Sequence, residues 1–271
     1  MPRIGSSPFA LPDFYGATRR LVLVNLCGYF VFLVMHFASP GMAAGLFNAF
    51  AFDPHFFLHG GVWQPITYSL VHLGLIGTLF ELLSLWFLGG FLENYHSANW
   101  LMGLYAFSVL GTAAASTAIY ACSGTFGFSA LAVPIYGCIG GIFGLLVAIG
   151  LLYGNTQFLL FFTIGVKARY MVAIYGLIAI AMLFGEQRMY AFAQLGGALG
   201  GLLYIRVAPR RGVNFAFSES WYGLRNRYYR WKRHRAARKF EVYMRSQGRT
   251  VRFDGQGRPL DDDPDDKKRW N

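Results

Sequence analysis

Charge is what this chain has least of. Only 14% of its 271 residues are Asp, Glu, Lys or Arg, against about 25% in ordinary soluble domains. Together with a 55% hydrophobic content and 18% aromatic residues, that shortage excludes a simple water-soluble domain and points to the bilayer. Cysteine is equally sparse: Cys27, Cys122 and Cys138 lie far apart in apolar surroundings. An odd number without zinc-type spacing argues against a disulfide framework or a metal knuckle, and for buried free thiols. Residues 1–16 lack a compact apolar run ending in small residues, so no secretory signal is expected there. Of the six histidines, His36, His55, His59, His72, His96 and His234, none falls between residues 97 and 233.

What is present is a series of apolar stretches. A hydrocarbon layer about 30 Å thick takes roughly 20 residues of helix to cross. Six stretches meet or approach that length: Leu21–Phe37, Ile66–Leu92, Trp100–Ala121, Pro134–Tyr153, Tyr170–Gly185 and Met189–Val207. Phe158–Val166 reads as an interfacial approach segment. The expected organisation is an N-terminal segment over residues 1–20, a membrane domain over 21–207 and a basic tail over 208–271. From Arg206 onward lie 18 of the 24 Lys/Arg and 8 of the 13 Asp/Glu, which places +10 of the +11 net charge in the tail. Arg3, Arg19 and Arg20, then Lys167 and Arg169, then the tail all fall on one side of a six-crossing layout. The positive-inside rule makes that side cytoplasmic, with both termini on it. The expected location is a bacterial cytoplasmic (inner) membrane.

Ser39–Trp63, rich in Gly, Pro and aromatics, reads as a partly immersed loop on the far side. His55 and His59 stand four residues apart in it, but with no third ligand nearby they read as ordinary loop residues. No metal and no cofactor are expected.

Three motifs carry a resemblance. WQPITYSLVHLG with the following LFELLSLWFLGGFLE, then YGCIGGIFGLL, then AQLGGALGGLLY resemble the second, fourth and sixth helices of the rhomboid family of intramembrane proteases. The order and spacing match over roughly residues 20–207. The resemblance implies an all-α, six-transmembrane-helix bundle with a water-accessible cavity opening away from the cytoplasm. It also implies a serine endopeptidase, and there the chain departs. The family's nucleophilic serine falls on Ile139 and its histidine base on Gln194. The His-x-x-x-Asn pair of the second helix falls on Gly77 and Glu81, while His72 and Phe143 remain. Isoleucine has no lone pair for attack, and a glutamine amide cannot take up a proton near neutral pH. A carboxylate is ill suited to stabilising an oxyanion. The expectation is therefore a pseudoprotease that binds transmembrane segments of client proteins and alters their stability, trafficking or proteolysis. Two alternatives stay open: a peptidase with a different nucleophile, Cys138 or Ser129, and a small transporter or lipid-handling protein using Glu81.

The glycines have a packing role in this reading. Gly140 and Gly144 form one small-residue pair, and Gly196 with Gly200 and Gly197 with Gly201 form two more, the spacing that lets membrane helices approach closely. The resemblance places these helices face to face. The candidate cavity comprises His72, Glu81, Cys138, Ile139, Phe143 and Gln194, with Glu81 at mid-span and expected close to Gln194. In the tail, Trp221, Leu224, Tyr228 and Trp231 recur at helical spacing among Arg225, Arg227, Arg230, Lys232, Arg233 and Arg235. That pattern predicts a basic amphipathic helix on anionic lipid and no nucleic-acid partner. The acidic run near the end reads as solvated, after a turn at Asp254-Gly255.

Overall fold

Neither the first helix nor the one that follows Cys138 has a side-chain cap of its own, and the way each is completed organises the fold. Helix α1, Gly16–Ala38, starts at a Gly16 in the left-handed region, φ 58°. Its exposed first-turn N–H groups are met by Glu93, whose carboxylate accepts from Ala17 N at 2.7 Å and Thr18 N at 2.8 Å. Glu93 lies near the end of a later helix, α5 (Leu75–Tyr95). A carboxylate there opposes its own helix dipole but suits the positive start of another.

The computed structural model describes residues 12–126, 133–160, 164–185 and 188–208, and beyond them 225–232, 235, 240, 243, 245–248, 252–253 and 259–260. The chain divides into two units, Met1–Val213 and Asn214–Asn271.

The connection after α1 is built rather than loose. It forms α2 (Pro40–Phe50), α3 (Pro54–Leu58) and α4 (Gln64–Thr67), each with proline in its first turn, where the missing N–H costs nothing. Trp63 Nε1 donates to Ala49 O at 2.8 Å, Thr67 Oγ1 to Phe50 O at 3.0 Å and Tyr68 Oη to Val109 O at 3.0 Å. The WQPITY motif thus anchors the connection to the bundle. The expected second span, Ile66–Leu92, is not continuous. A 3₁₀ turn at Tyr68–Leu70 gives way to extended backbone at Val71, and helix α5 begins only at Leu75, after Gly74 at φ 79°. It runs to Tyr95.

Helix α6 spans Ala98–Phe126. The expected fourth helix also starts late, as α7 over Ile139–Leu152. Before it, Ile135 forms a two-way backbone bridge with Phe52, both N–H···O distances being 2.8 Å. Gly137 then turns the chain at φ 86°. Cys138 is therefore a non-helical cap residue preceding the helix. Residues Gln157–Leu160 (β1) and Ile164–Lys167 (β2) form an antiparallel hairpin, pairing Gln157 with Lys167 and Phe158 with Val166. The fold is mostly helical rather than all-α, because this segment pairs its backbone as a hairpin between α7 and the helix that follows. Helices α8 (Ala168–Met182) and α9 (Arg188–Val207) complete the unit.

Helix α7 is the centre. Nine of its fourteen residues are buried, and it packs on α5, α6, α8 and α9. The glycine pairs divide their work. A methyl group on Gly197 would collide with Gly140 of α7, and one on Gly201 would lie 2.7 Å from Gly144 Cα. On the other side of α9, Gly196 and Gly200 abut Gly111 and Phe107 O of α6. The expected contact of α7 with both α9 pairs is thus corrected: Gly196 and Gly200 serve α6 instead. Thr112 Oγ1 of α6 donates to Ala193 O of α9 at 2.9 Å.

The outer faces are apolar. Phe30, Val34 and Phe37 of α1, Leu75, Ile76, Leu79 and Phe80 of α5, and Leu177 and Ile178 of α8 are all exposed, which is the pattern of a surface solvated by lipid. By length and composition three segments can cross a membrane, Gly16–Ala38, Leu75–Tyr95 and Ala98–Ser123, while α7 and α8 are apolar but shorter. At 1.5 Å per residue, the fourteen residues of α7 extend about 21 Å.

In the second unit, residues 225–232 are helical, and Arg252–Phe253 (β3) pairs antiparallel with Pro259–Leu260 (β4). Tyr228 and Trp231 rings lie 6.3 Å apart, and the Arg235 guanidinium sits 5.4 Å over Trp231. Arg225 is 5.9 Å from the Tyr229 ring. Among the described residues, Tyr228 and Trp231 share the expected aromatic stripe and Arg227, Arg230 and Lys232 are exposed. Trp221, Leu224, Arg233, the Asp254-Gly255 turn and the acidic run lie outside the described residues, as do Arg3 and Ser129.

Candidate functional site around Glu81

Because α5 starts at Leu75, Glu81 sits only six residues, about 9 Å, from the start of its helix. It therefore stands about a third of the way along α5 rather than in the middle of a continuous Ile66–Leu92 helix. Its side chain is 23% exposed. Oε2 accepts the Cys138 N–H at 2.8 Å and lies 3.4 Å from Cys138 Sγ, whose thiol donates to it. Here a carboxylate of α5 again completes the start of another helix, as Glu93 does for α1. Gly137 permits this approach: a Cβ on it would stand 2.7 Å from Oε2.

His72 closes the group from the extended segment before α5. Its ring is buried, its Nδ1 lies 3.2 Å from Leu70 O and its Nε2 lies 3.3 Å from Glu81 Oε2. The Nε2 distance is that of an ion pair, yet the alignment makes no hydrogen bond, and the buried atom has no other partner. The two geometries are consistent: close approach without a proton directed between the atoms. His72, Glu81 and Cys138 thus come together, although the sequence separates the first and last by 66 positions.

Among the described residues, the remaining expected cavity residues make no side-chain hydrogen bond to this cluster. Gln194 is buried with its Oε1 unpartnered, and no hydrogen bond joins it to Glu81 among the described residues. An α9 side chain within electrostatic reach of Glu81 is Tyr190, one turn earlier, whose ring lies 5.8 Å from that of Tyr136. Ile139 is half-buried in the first turn of α7, and Gly77 is exposed with open space where a side chain would be. Phe143 is buried with its ring 6.4 Å from that of Tyr175. His55 and His59 pack their rings 4.4 Å apart, and His59 Nδ1 lies 2.7 Å from the His55 carbonyl.

Two contributors escaped the sequence. Gly137 lies inside the quoted glycine-rich stretch, but nothing in spacing marks it as the residue that admits Glu81. Glu93 closes the Gly-x-x-Leu-Glu stretch. An acid at the end of a helix, where the dipole disfavours it, was the available signal.

The family model described as "Eukaryotic integral membrane protein (DUF1751)" matches residues 19–213. No curated protein matches the chain. A eukaryotic family overturns the expectation of a bacterial cytoplasmic membrane, which rested on orientation signals that bacterial and eukaryotic membranes share. With most of its length covered by that match, and with outward apolar helices around a close-packed centre, the chain belongs to the DUF1751 family of eukaryotic integral membrane proteins.

Proposed function

We propose that this protein is a catalytically inactive, rhomboid-like membrane protein whose bundle of six crossings, α1, α5, α6, α7, α8 and α9, receives transmembrane segments of other proteins. What carries the proposal is the setting of Glu81. A partly exposed carboxylate stands one helical turn from Gly77, which is exposed with open space around it and borders the exposed Phe80, near one end of α5. A guest helix lying against α5 meets grease along its length and one polar group near its end. Such a surface favours segments that carry a polar residue of their own, since a lone polar group in lipid is costly. The absence of peptidase chemistry rests on Ile139 and Gln194 at the positions that the resemblance gives to nucleophile and base.

Cys138 favours a second reading, because the fold brings it to His72. Against it, the thiol is fully buried and directs its hydrogen to the Glu81 carboxylate rather than to the imidazole. A nucleophile must also reach a carbonyl carbon, and this sulfur has no open side.

Photo-crosslinking in native membranes tests the proposal. A crosslinker at Gly77 is expected to capture discrete membrane proteins, with capture reduced by Glu81→Lys, while one at the outward Leu199 of α9 captures lipid. Lipid adducts alone at both positions would overturn client binding. Cleavage of a transmembrane reporter by the purified chain, abolished by Cys138→Ala, would establish the second reading instead.

A further inference from the structure

His72, Glu81 and Cys138 are the one group of three or more His, Cys, Asp or Glu among the described residues placed to share a metal ion. We infer that they form a divalent-cation site of the zinc class. The inference goes beyond client binding and stands whether or not the chain has clients.

Geometry comes first. Tetrahedral zinc holds imidazole nitrogen and carboxylate oxygen at about 2.0–2.2 Å and thiolate sulfur at about 2.3 Å, so its donors lie roughly 3.3–3.6 Å from one another. Glu81 Oε2 is 3.3 Å from His72 Nε2 and 3.4 Å from Cys138 Sγ. All three donor atoms fall within 4.8 Å of one another. Two of the three donor separations thus match those around an ion, and side-chain rotation would bring in the third, between His72 Nε2 and Cys138 Sγ.

The histidine supplies an independent sign. Its buried Nε2 has no hydrogen-bond partner, while Nδ1 lies within reach of the Leu70 carbonyl. A proton on Nδ1, held by a backbone carbonyl, leaves the Nε2 lone pair aimed at the cluster, and this is the arrangement by which proteins orient metal-binding imidazoles. A buried nitrogen without a partner is otherwise destabilising. A cation meets that need directly.

Charge and softness select the ion. Binding releases the thiol proton to solvent, and a dication with one thiolate, one carboxylate and one neutral imidazole sums to zero. A neutral site suits a poorly solvated setting, where an unpaired charge is costly. Thiolate with imidazole favours zinc over magnesium or calcium, which take oxygen donors. Three protein donors leave a fourth position for water. The ion would join the segment before α5, α5 itself and the start of α7 at one point.

The test uses the full-length chain with Cys27→Ser and Cys122→Ser, both exposed positions, so that Cys138 is its only thiol. Titrated with Co²⁺ in detergent, this protein is expected to develop a near-ultraviolet thiolate-to-cobalt absorption band that saturates near about one ion per chain and is displaced by Zn²⁺. Cys138→Ser abolishes the band, and His72→Gln weakens binding by roughly tenfold or more. No band in the sole-thiol protein overturns the site, even if the Cys138→Ser variant fails to fold. So does zinc binding that survives both Cys138→Ser and His72→Gln.

Discussion

Glu93 is a buried acid with two backbone N–H groups as partners and no cation beside it among the described residues. Removing the carboxylate leaves two first-turn donors of α1 unsatisfied, at about 1–3 kcal/mol for each. Glu93→Ala is therefore expected to lower the stability of the detergent-solubilised protein by several kcal/mol, and Glu93→Gln by less, since an amide oxygen can still accept one bond. Thermal unfolding checks the order. Against it, a Glu93→Ala protein as stable as the parent would mean that α1 needs no partner at its start. His96, between α5 and α6, gives a pH dependence. Its ring stacks on Trp100 at 3.9 Å with Tyr153 Oη 3.1 Å from Nε2, and burial lowers its pKa below the usual 6.5. The unfolded chain then binds more protons in the window just below about 6.5, so stability should fall as pH drops through it. His96→Gln should flatten that part of the curve, as measured by melting between pH 7.5 and 5.

At the scale of elements, the α7–α9 contact is decisive because it is backbone against backbone. Gly197→Val must separate α9 from Gly140, and core overpacking costs about 1–3 kcal/mol or more. Gly176 of α8 has open space around it, so Gly176→Ala should be neutral or stabilise by up to about 1 kcal/mol through helix propensity. The pair of variants, compared by melting temperature, separates glycines that pack from glycines that merely occur. Much of this was legible beforehand. Apolar length fixes where α1 and α6 run, because a lipid-solvated helix must be greasy almost throughout. Small residues spaced by four identify the sticky faces of α7 and α9, though only the packed fold divides them between α6 and α7. The starts of α5 and α7 were not legible. Gly74 and Gly137 sit in apolar runs that read as continuous helix, and their positive φ depends on partners distant in sequence. For the same reason the cluster of His72, Glu81 and Cys138 was three separate observations until the break at Val71 and the turn at Gly137 brought them together.

For the whole molecule, charge is partitioned as cleanly as hydrophobicity. The residues before Arg206 are close to neutral, and those from Arg206 onward carry the basic excess. Residues 214–271 are expected to bind vesicles containing phosphatidylserine, with tryptophan emission shifted to the blue and the signal lost as salt rises. Each of Arg227→Gln, Arg230→Gln and Lys232→Gln should cost about 1 kcal/mol of that binding. Equal binding to neutral and anionic vesicles would overturn the lipid role of this segment.

Helix α5 holds two others through acids twelve positions apart: Glu93 grips α1 at two amides, and Glu81 touches α7 through a single cap residue. The fastening is unequal. Were α5 to swing aside for a visitor, the Glu81 end would come loose first while the Glu93 end stayed pinned. The helix would open like a door hung from one side, and a bolt at Glu81, His72 and Cys138 would decide when it moves.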